Sequence, residues 1–452
     1  MKTLRELAAD LSSGAVTASQ LVAESLEAVA DPTGEGGRAF VKVAAERARA
    51  SAAAIDGARR AGALLPPWAG IPVAVKDLCD VEGEVTTAGS VVLADRPPAV
   101  ATAPAVARLV AAGFVVVGRT NMTEFAYSGL GLNPHYDTPR SPWDRATGRI
   151  PGGSSSGTAV AVADGMAAVG LGTDTGGSCR IPAAFCQIVG WKPTARRVPL
   201  DGIVPLAPSL DSVGPLGRSV DCCAIVDDVF AGGDGRAIPN ARPATGIRLA
   251  AITDFVLDGL DPEVAAAHEA ALAALRAAGV LVEEIPFPEL TELPSINSGG
   301  GLATAEAYHW HQELLAAAGD RYDQQVRVRI EPGAQQTAAD YLDLLAARRR
   351  LIGAAERRLA GFDAFVLPTV ARIPPPVASF DSGDPAYYST TNLACLRNTA
   401  VGNFLDACAL SIPASAPGEA PVGLMVMGPP MGDAALFTVG RTVERLLTDT
   451  WR

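Results

Sequence analysis

At 452 residues, 48% hydrophobic and 19% charged, the chain is long enough for two or three average domains or one large α/β domain, and too apolar for a disordered polyelectrolyte. A net charge of −12 argues against a nucleic-acid-binding surface, which needs clustered Lys and Arg.

Helix and strand signals alternate along almost the whole length. Thr17-Ala18-Ser19-Gln20 has the capping-box pattern, and Leu21, Leu26 and Val29 follow on one face, so a helix begins there. Residues 40–43 read as a short strand and 44–61 as an alanine-rich helix; the first 62 or so residues form an N-terminal, largely helical segment. Residues 68–75 read as a buried strand that delivers Lys76 at its C-terminal end. A helix is expected over 102–112 and a strand over 114–117. Further strands are expected at 247–252, 280–285, 364–367 and 422–427. Helices are expected from Asp261-Pro262, with Asp as cap and Pro in the first turn, and over 341–359 and 433–447. Such alternation predicts an α/β fold, a sheet covered on both faces by helices, in one large domain spanning 1–452. The Pro- and Gly-rich stretches 232–246 and 372–386 read as surface loops of that domain.

The seven cysteines are odd in number and contain no Cys-x-x-Cys spacing, which disfavours a disulfide framework and fits a reducing cytoplasm. Met1 to Glu6 lack the apolar region of a signal peptide, and no uncharged apolar run is long enough to span a membrane; 158–172 comes nearest, interrupted by Asp164. Of four histidines, His309 and His311 are the one close pair. Without a partner set of carboxylates or thiols they read as helix-surface residues, and no metal site is expected.

Three segments carry chemistry. In Gly172-Thr173-Asp174-Thr175-Gly176-Gly177-Ser178-Cys179-Arg180, adjacent glycines allow successive N–H groups to face one side, a nest for an anion. Ser178 at its end suits a nucleophile whose developing oxyanion falls among those N–H groups; an ordinary turn or an anion loop are the alternatives, though no Lys follows as a P-loop requires. Gly152-Gly153-Ser154-Ser155-Ser156-Gly157 has linker composition, yet it opens directly into an apolar segment, which suits a serine at a helix N-terminus. Lys76, after Gly70-Ile71-Pro72-Val73-Ala74-Val75, is either the point where a strand meets solvent or a buried amine whose lowered pKa makes it a base. With no histidine placed to serve Ser178, another group must take its proton.

The combination of Lys76 in Val-Ala-Val-Lys-Asp, the Gly-Gly-Ser154-Ser-Ser-Gly run and Gly-Thr-Asp-Thr-Gly-Gly-Ser178-Cys-Arg-Ile-Pro-Ala resembles the amidase signature family. The likeness is dense over 65–220, taking in Gly118-Arg119-Thr120-Asn121 and Gly190-Trp191-Lys192-Pro193, and looser elsewhere. It implies a mixed central sheet and an amidase that cleaves the C–N bond of a small carboxamide without a cofactor. Ser178 would be the acyl-forming nucleophile, Ser154, after a cis peptide bond, the proton relay, and Lys76 the base. The N–H groups of Thr175, Gly176, Gly177 and Ser178 would form the oxyanion hole. The opposite charges of Asp174 and Arg180 are expected to brace the loop. Cys179 stands where the family often has a β-branched apolar residue; with the Lys–Ser–Ser set complete and no histidine beside it, it is not read as the nucleophile.

By the same analogy residues 125–130, with Tyr127 and Ser128, line the acyl pocket. Tyr308, Trp310 and Tyr322 either line its mouth or simply pack in the core. The resemblance admits a free-standing amidase or the glutamine-hydrolysing component of a tRNA-dependent amidotransferase. The Asn-Leu-Ala-Arg-Tyr-Asp-Gly-like segment usual in such components has no match at 303–311, which favours the free-standing enzyme acting on an aliphatic, aryl or carbamoyl amide. An inactive interaction module would have lost one of the three reactive side chains, and all are present. The partner is then a small-molecule substrate, with neither nucleic acid nor membrane, and a homodimer through the N-terminal helices is the family-based expectation.

Overall fold

The structure is a computed structural model and describes residues 2–451. Eleven strands form one sheet: β1 (Phe40–Val43), β2 (Pro72–Lys76), β3 (Val115–Thr120), β4 (Val169–Thr173), β5 (Val189–Lys192), β6 (Val213–Gly217), β7 (Arg248–Ile252), β8 (Leu281–Ile285), β9 (Ala364–Pro368), β10 (Cys408–Pro413) and β11 (Gly423–Gly428). Their spatial order is β1-β3-β2-β4-β6-β5-β10-β11-β9-β7-β8. β2 runs parallel to β3 and β4, and β7 parallel to β8 and β9, while the strands between these groups pair antiparallel. The mixed α/β architecture expected from the motifs is therefore present.

Alternation along the strands shows why both faces are covered. Leu249, Ala251, Val366, Leu424 and Val426 pack on one side with the helices Pro262–Ala277 and Asp433–Asp449. Ala250, Ile252, Phe365, Met425 and Met427 pack on the other, with Ala338–Leu359 and Pro385–Phe404. Successive strand side chains point to opposite faces, so fully apolar strands require cover on both.

Local signals held where side-chain chemistry decides them. Thr17 and Gln20 close a reciprocal capping box on Ala18–Ala30. Elsewhere tertiary contacts shift the boundaries. The strand expected from residue 68 begins at Pro72, because Trp68 lies in a turn and donates its indole N–H to the Asp234 carbonyl. Asp261 precedes its helix, but its side chain does not cap it; the carboxylate accepts the Ile373 N–H instead. The loop expected over 372–386 ends two residues early, where Pro385 opens a helix of 20 residues.

Parallel pairing of β2 with β4, Val75 opposite Leu171, brings Lys76 and Thr173 together at their C-terminal ends. In sheets of this kind, the C-terminal ends of parallel strands are where ligand sites form.

Candidate active site

Lys76 is fully buried. Its Nζ donates to Ser154 Oγ at 2.7 Å and to Thr173 Oγ1 at 2.7 Å, and it forms no ion pair among the described residues. Burial drives its pKa down from 10.5 to about 8; the surrounding Cys179, Cys79, Asp174 and Asp211 oppose the shift without reversing it. A substantial neutral fraction therefore exists near physiological pH. Thr173 was not singled out in the sequence, although it sits inside the quoted glycine-rich segment. Its hydroxyl stabilises the charged amine, so Thr173→Val should lower the Lys76 pKa further. The acid limb of the activity–pH profile should move down by about one to two pH units, from the roughly 1.5–3 kcal/mol of a hydrogen bond to a charged group.

The Gly153–Ser154 peptide bond is cis. The Gly153 N–H donates to the Gly129 carbonyl at 2.8 Å, and the Ser155 N–H to the Ser178 carbonyl at 3.3 Å. These contacts seat the Ser154 segment between residues 127–129 and the Ser178 loop. Ser178 is 4% exposed and its hydroxyl has no hydrogen-bond partner among the described residues.

The loop before Ser178 is wound around Asp174. Its Oδ1 accepts the Gly177 N–H (2.9 Å), Arg180 Nη2 (2.9 Å) and Asn403 Nδ2 (2.8 Å), and its Oδ2 accepts the Cys179 N–H (3.1 Å) and Arg180 Nε (3.0 Å). Burial alone would raise this carboxyl; the Arg180 charge and hydrogen bonds, with Lys192 and Asn403, outweigh it and hold the pKa at about 2. The expected Asp174–Arg180 brace is thus a buried bidentate pair. One expectation needs correction. The Gly177 N–H is turned onto Asp174, because that bond closes the turn, and it is not free for an oxyanion. The N–H groups of Thr175, Gly176 and Ser178 have no acceptor among the described residues. Thr175 itself is anchored by its hydroxyl on Asp211 at 2.5 Å.

Helix Pro385–Phe404 supplies contacts that sequence reasoning missed. Thr399 Oγ1 donates to the Gly176 carbonyl (2.7 Å), Arg180 Nη1 to the Thr399 carbonyl (2.9 Å), and Asn403 bonds both Arg180 and Asp174. On the far side, Asn392 Oδ1 accepts from Ser128 Oγ (2.9 Å) and the Gly129 N–H (2.8 Å). Ser128 Oγ also accepts the Tyr388 hydroxyl at 3.0 Å, and the Tyr127 hydroxyl pairs with Thr304 Oγ1 at 2.6 Å. The hydroxyls of Ser128 and Tyr127 are therefore both engaged by the protein.

Tyr322 is 6% exposed and packs with Phe125 and His311, while Trp310 stacks edge-on against the same two rings. These aromatics form a core cluster. His309 is exposed, as expected, but His311 is not a surface residue: two positions on along the helix it faces inward and bonds the Tyr322 hydroxyl at 2.9 Å. Burial raises the Cys179 thiol far above its ordinary range, which leaves it no thiolate to attack with. All seven cysteines are buried and free. No helix among the described residues is long and apolar enough to cross a membrane.

The Amidase family model matches residues 22–437. The chain is 39% identical to 2-amino-5-chloromuconic acid deaminase of Comamonas testosteroni over 408 residues, 89% of this chain and 87% of that protein. It is 35% identical to the A subunit of glutamyl-tRNA(Gln) amidotransferase from Anaeromyxobacter sp. (strain K), covering 98% of this chain and 96% of the relative. A crystal structure of an amidase superposes with a TM-score of 0.88 at 32% identity, over 98% of this chain and 99% of that one. With signature motifs, mixed sheet and full-length likeness in agreement, the chain belongs to the amidase family, hydrolases of amide C–N bonds.

Proposed function

We propose that the protein hydrolyses a small carboxamide through a serine acyl-enzyme, with Ser178 as nucleophile, Ser154 as relay and Lys76 as base. The observation that carries this reading is the buried Lys76 amine, unpaired with any carboxylate among the described residues and 2.7 Å from Ser154 Oγ. Neutral Lys76 takes the Ser154 proton as Ser154 takes that of Ser178, and Ser178 Oγ bonds the amide carbon. The oxyanion is received by the N–H groups of Thr175, Gly176 and Ser178, each such donor being worth about a hundred- to a thousandfold in turnover. The proton returns through Ser154 to the leaving nitrogen as the C–N bond breaks. Water then attacks the ester by the same relay and frees the acid and Ser178.

A fluorophosphonate should add its phosphonyl mass at Ser178, read by peptide mass spectrometry, and Ser178→Ala should abolish both labelling and amide hydrolysis. Absence of labelling in folded protein would favour an inactive module. A second reading, glutamine hydrolysis on behalf of a partner protein, is favoured by the 35% identity to the amidotransferase relative. Against it, 303–311 lies in a regular helix and lacks the segment usual in that class. A panel of glutamine, aliphatic amides, anilides and biuret-type compounds separates the two; glutamine turnover that rises on adding tRNA-charging partners would select the second.

A further inference from the structure

Arg329 lies on the short helix Gln324–Ile330, half-buried, and makes no ion pair among the described residues. Other arginines are differently placed. Arg180 is paired with Asp174, Arg327 with Glu331, and Arg348 donates to the carbonyls of Phe404, Ser209 and Asn403. Arg329 instead donates from Nη1 to the Tyr127 carbonyl at 3.1 Å and lays its guanidinium over the Tyr388 ring, Cζ 4.7 Å from the centroid. Asp323, which precedes the same helix, is held by the Gln325 N–H and forms no ion pair with it.

Both contacts tie Arg329 to the wall of the site. Tyr388 donates its hydroxyl to Ser128 Oγ. Two residues beyond Tyr127, the Gly129 carbonyl receives the N–H of Gly153, the residue before Ser154. Leu396 fills the space between Gly129 and Gly176: a β-carbon on either glycine would lie 3.2–3.3 Å from it. With Nη1 donating to Tyr127 and the guanidinium over the Tyr388 ring, the remaining N–H donors of Arg329 suit a carboxylate.

We propose that the substrate is an anionic amide whose acyl part carries a carboxylate, such as the monoamide of a dicarboxylic acid, and that Arg329 binds that carboxylate. This deepens the acyl-enzyme reading and rests on it. The wild-type enzyme should cleave succinamate and glutaramate with kcat/KM at least tenfold above 4-oxopentanamide and 5-oxohexanamide, their neutral isosteres. In Arg329→Gln that ratio should fall at least tenfold, mainly through KM, and Arg329→Lys should keep an intermediate ratio, having charge but no planar fork. Glutaramate should also slow fluorophosphonate labelling of wild-type Ser178 more than 5-oxohexanamide does. A wild-type ratio near one, an unchanged ratio in Arg329→Gln, or carboxylate amides that are neither cleaved nor protective would overturn the proposal while Ser178 still labels. Loss of labelling itself would instead overturn the acyl-enzyme reading.

Discussion

Replacing Lys76 by alanine should lower kcat/KM for an amide by about a thousandfold, within the range of about 10²–10⁴ for general acid–base catalysis. The side chain reaches Ser154 with no intervening group, and among the described residues no histidine or carboxylate bonds Ser154 in its place. Lys76→Arg should be as damaging as alanine, since a guanidinium stays protonated and takes no proton at any accessible pH. Ammonia release at pH 8, beside circular dichroism to confirm folding, measures both. Activity in Lys76→Arg near that of wild type would show that charge at this position, and not proton transfer, is what matters.

Asp174→Ala should destabilise the fold by about 3–5 kcal/mol, the typical cost of stripping one partner from a buried ion pair. Arg180, also fully buried, would be left with an uncompensated charge, and the Gly177 and Cys179 N–H groups would lose their acceptor. The urea midpoint reports the loss, and Arg180→Met should cost a comparable amount by orphaning the carboxylate. The double variant Asp174→Ala/Arg180→Met should cost less than the sum of the two single changes, because both charges leave together. The folded carboxyl titrates near 2, below its ordinary value of 3.8, so its contribution is complete above about pH 4 and fades as pH falls through about 2.

The parts legible in the sequence were those whose chemistry is local. A Lys after an apolar run, glycines beside Ser178 and Ser154, and Thr17/Gln20 as a cap each signal structure within a few residues. What escaped lies across the chain. Thr399, Asn403, Asn392 and Tyr388 reach the site from a helix more than 200 residues away from Ser178 in sequence, and nothing in their own neighbourhood marks them. Gly177 shows a finer limit. Glycine permits the nest, but which N–H faces inward is set by where the Asp174 carboxylate sits. Trp310 and Tyr322 have the composition of a pocket rim; their packing against Phe125 was decided by a partner distant in sequence. Strand order was equally beyond reach, since β5 and β10, far apart in the chain, pair as neighbours.

The most direct test of a buried, neutral amine driving Ser178 through Ser154 is the pH dependence of kcat/KM for one amide from pH 5.5 to 10. The expected profile climbs tenfold per unit on its acid side, bends near pH 8 where Lys76 loses its proton, and flattens above, with that limb absent from the residual rate of Lys76→Ala. A bend near 6.5, in the histidine range, or an acid limb that survives in Lys76→Ala, would contradict it.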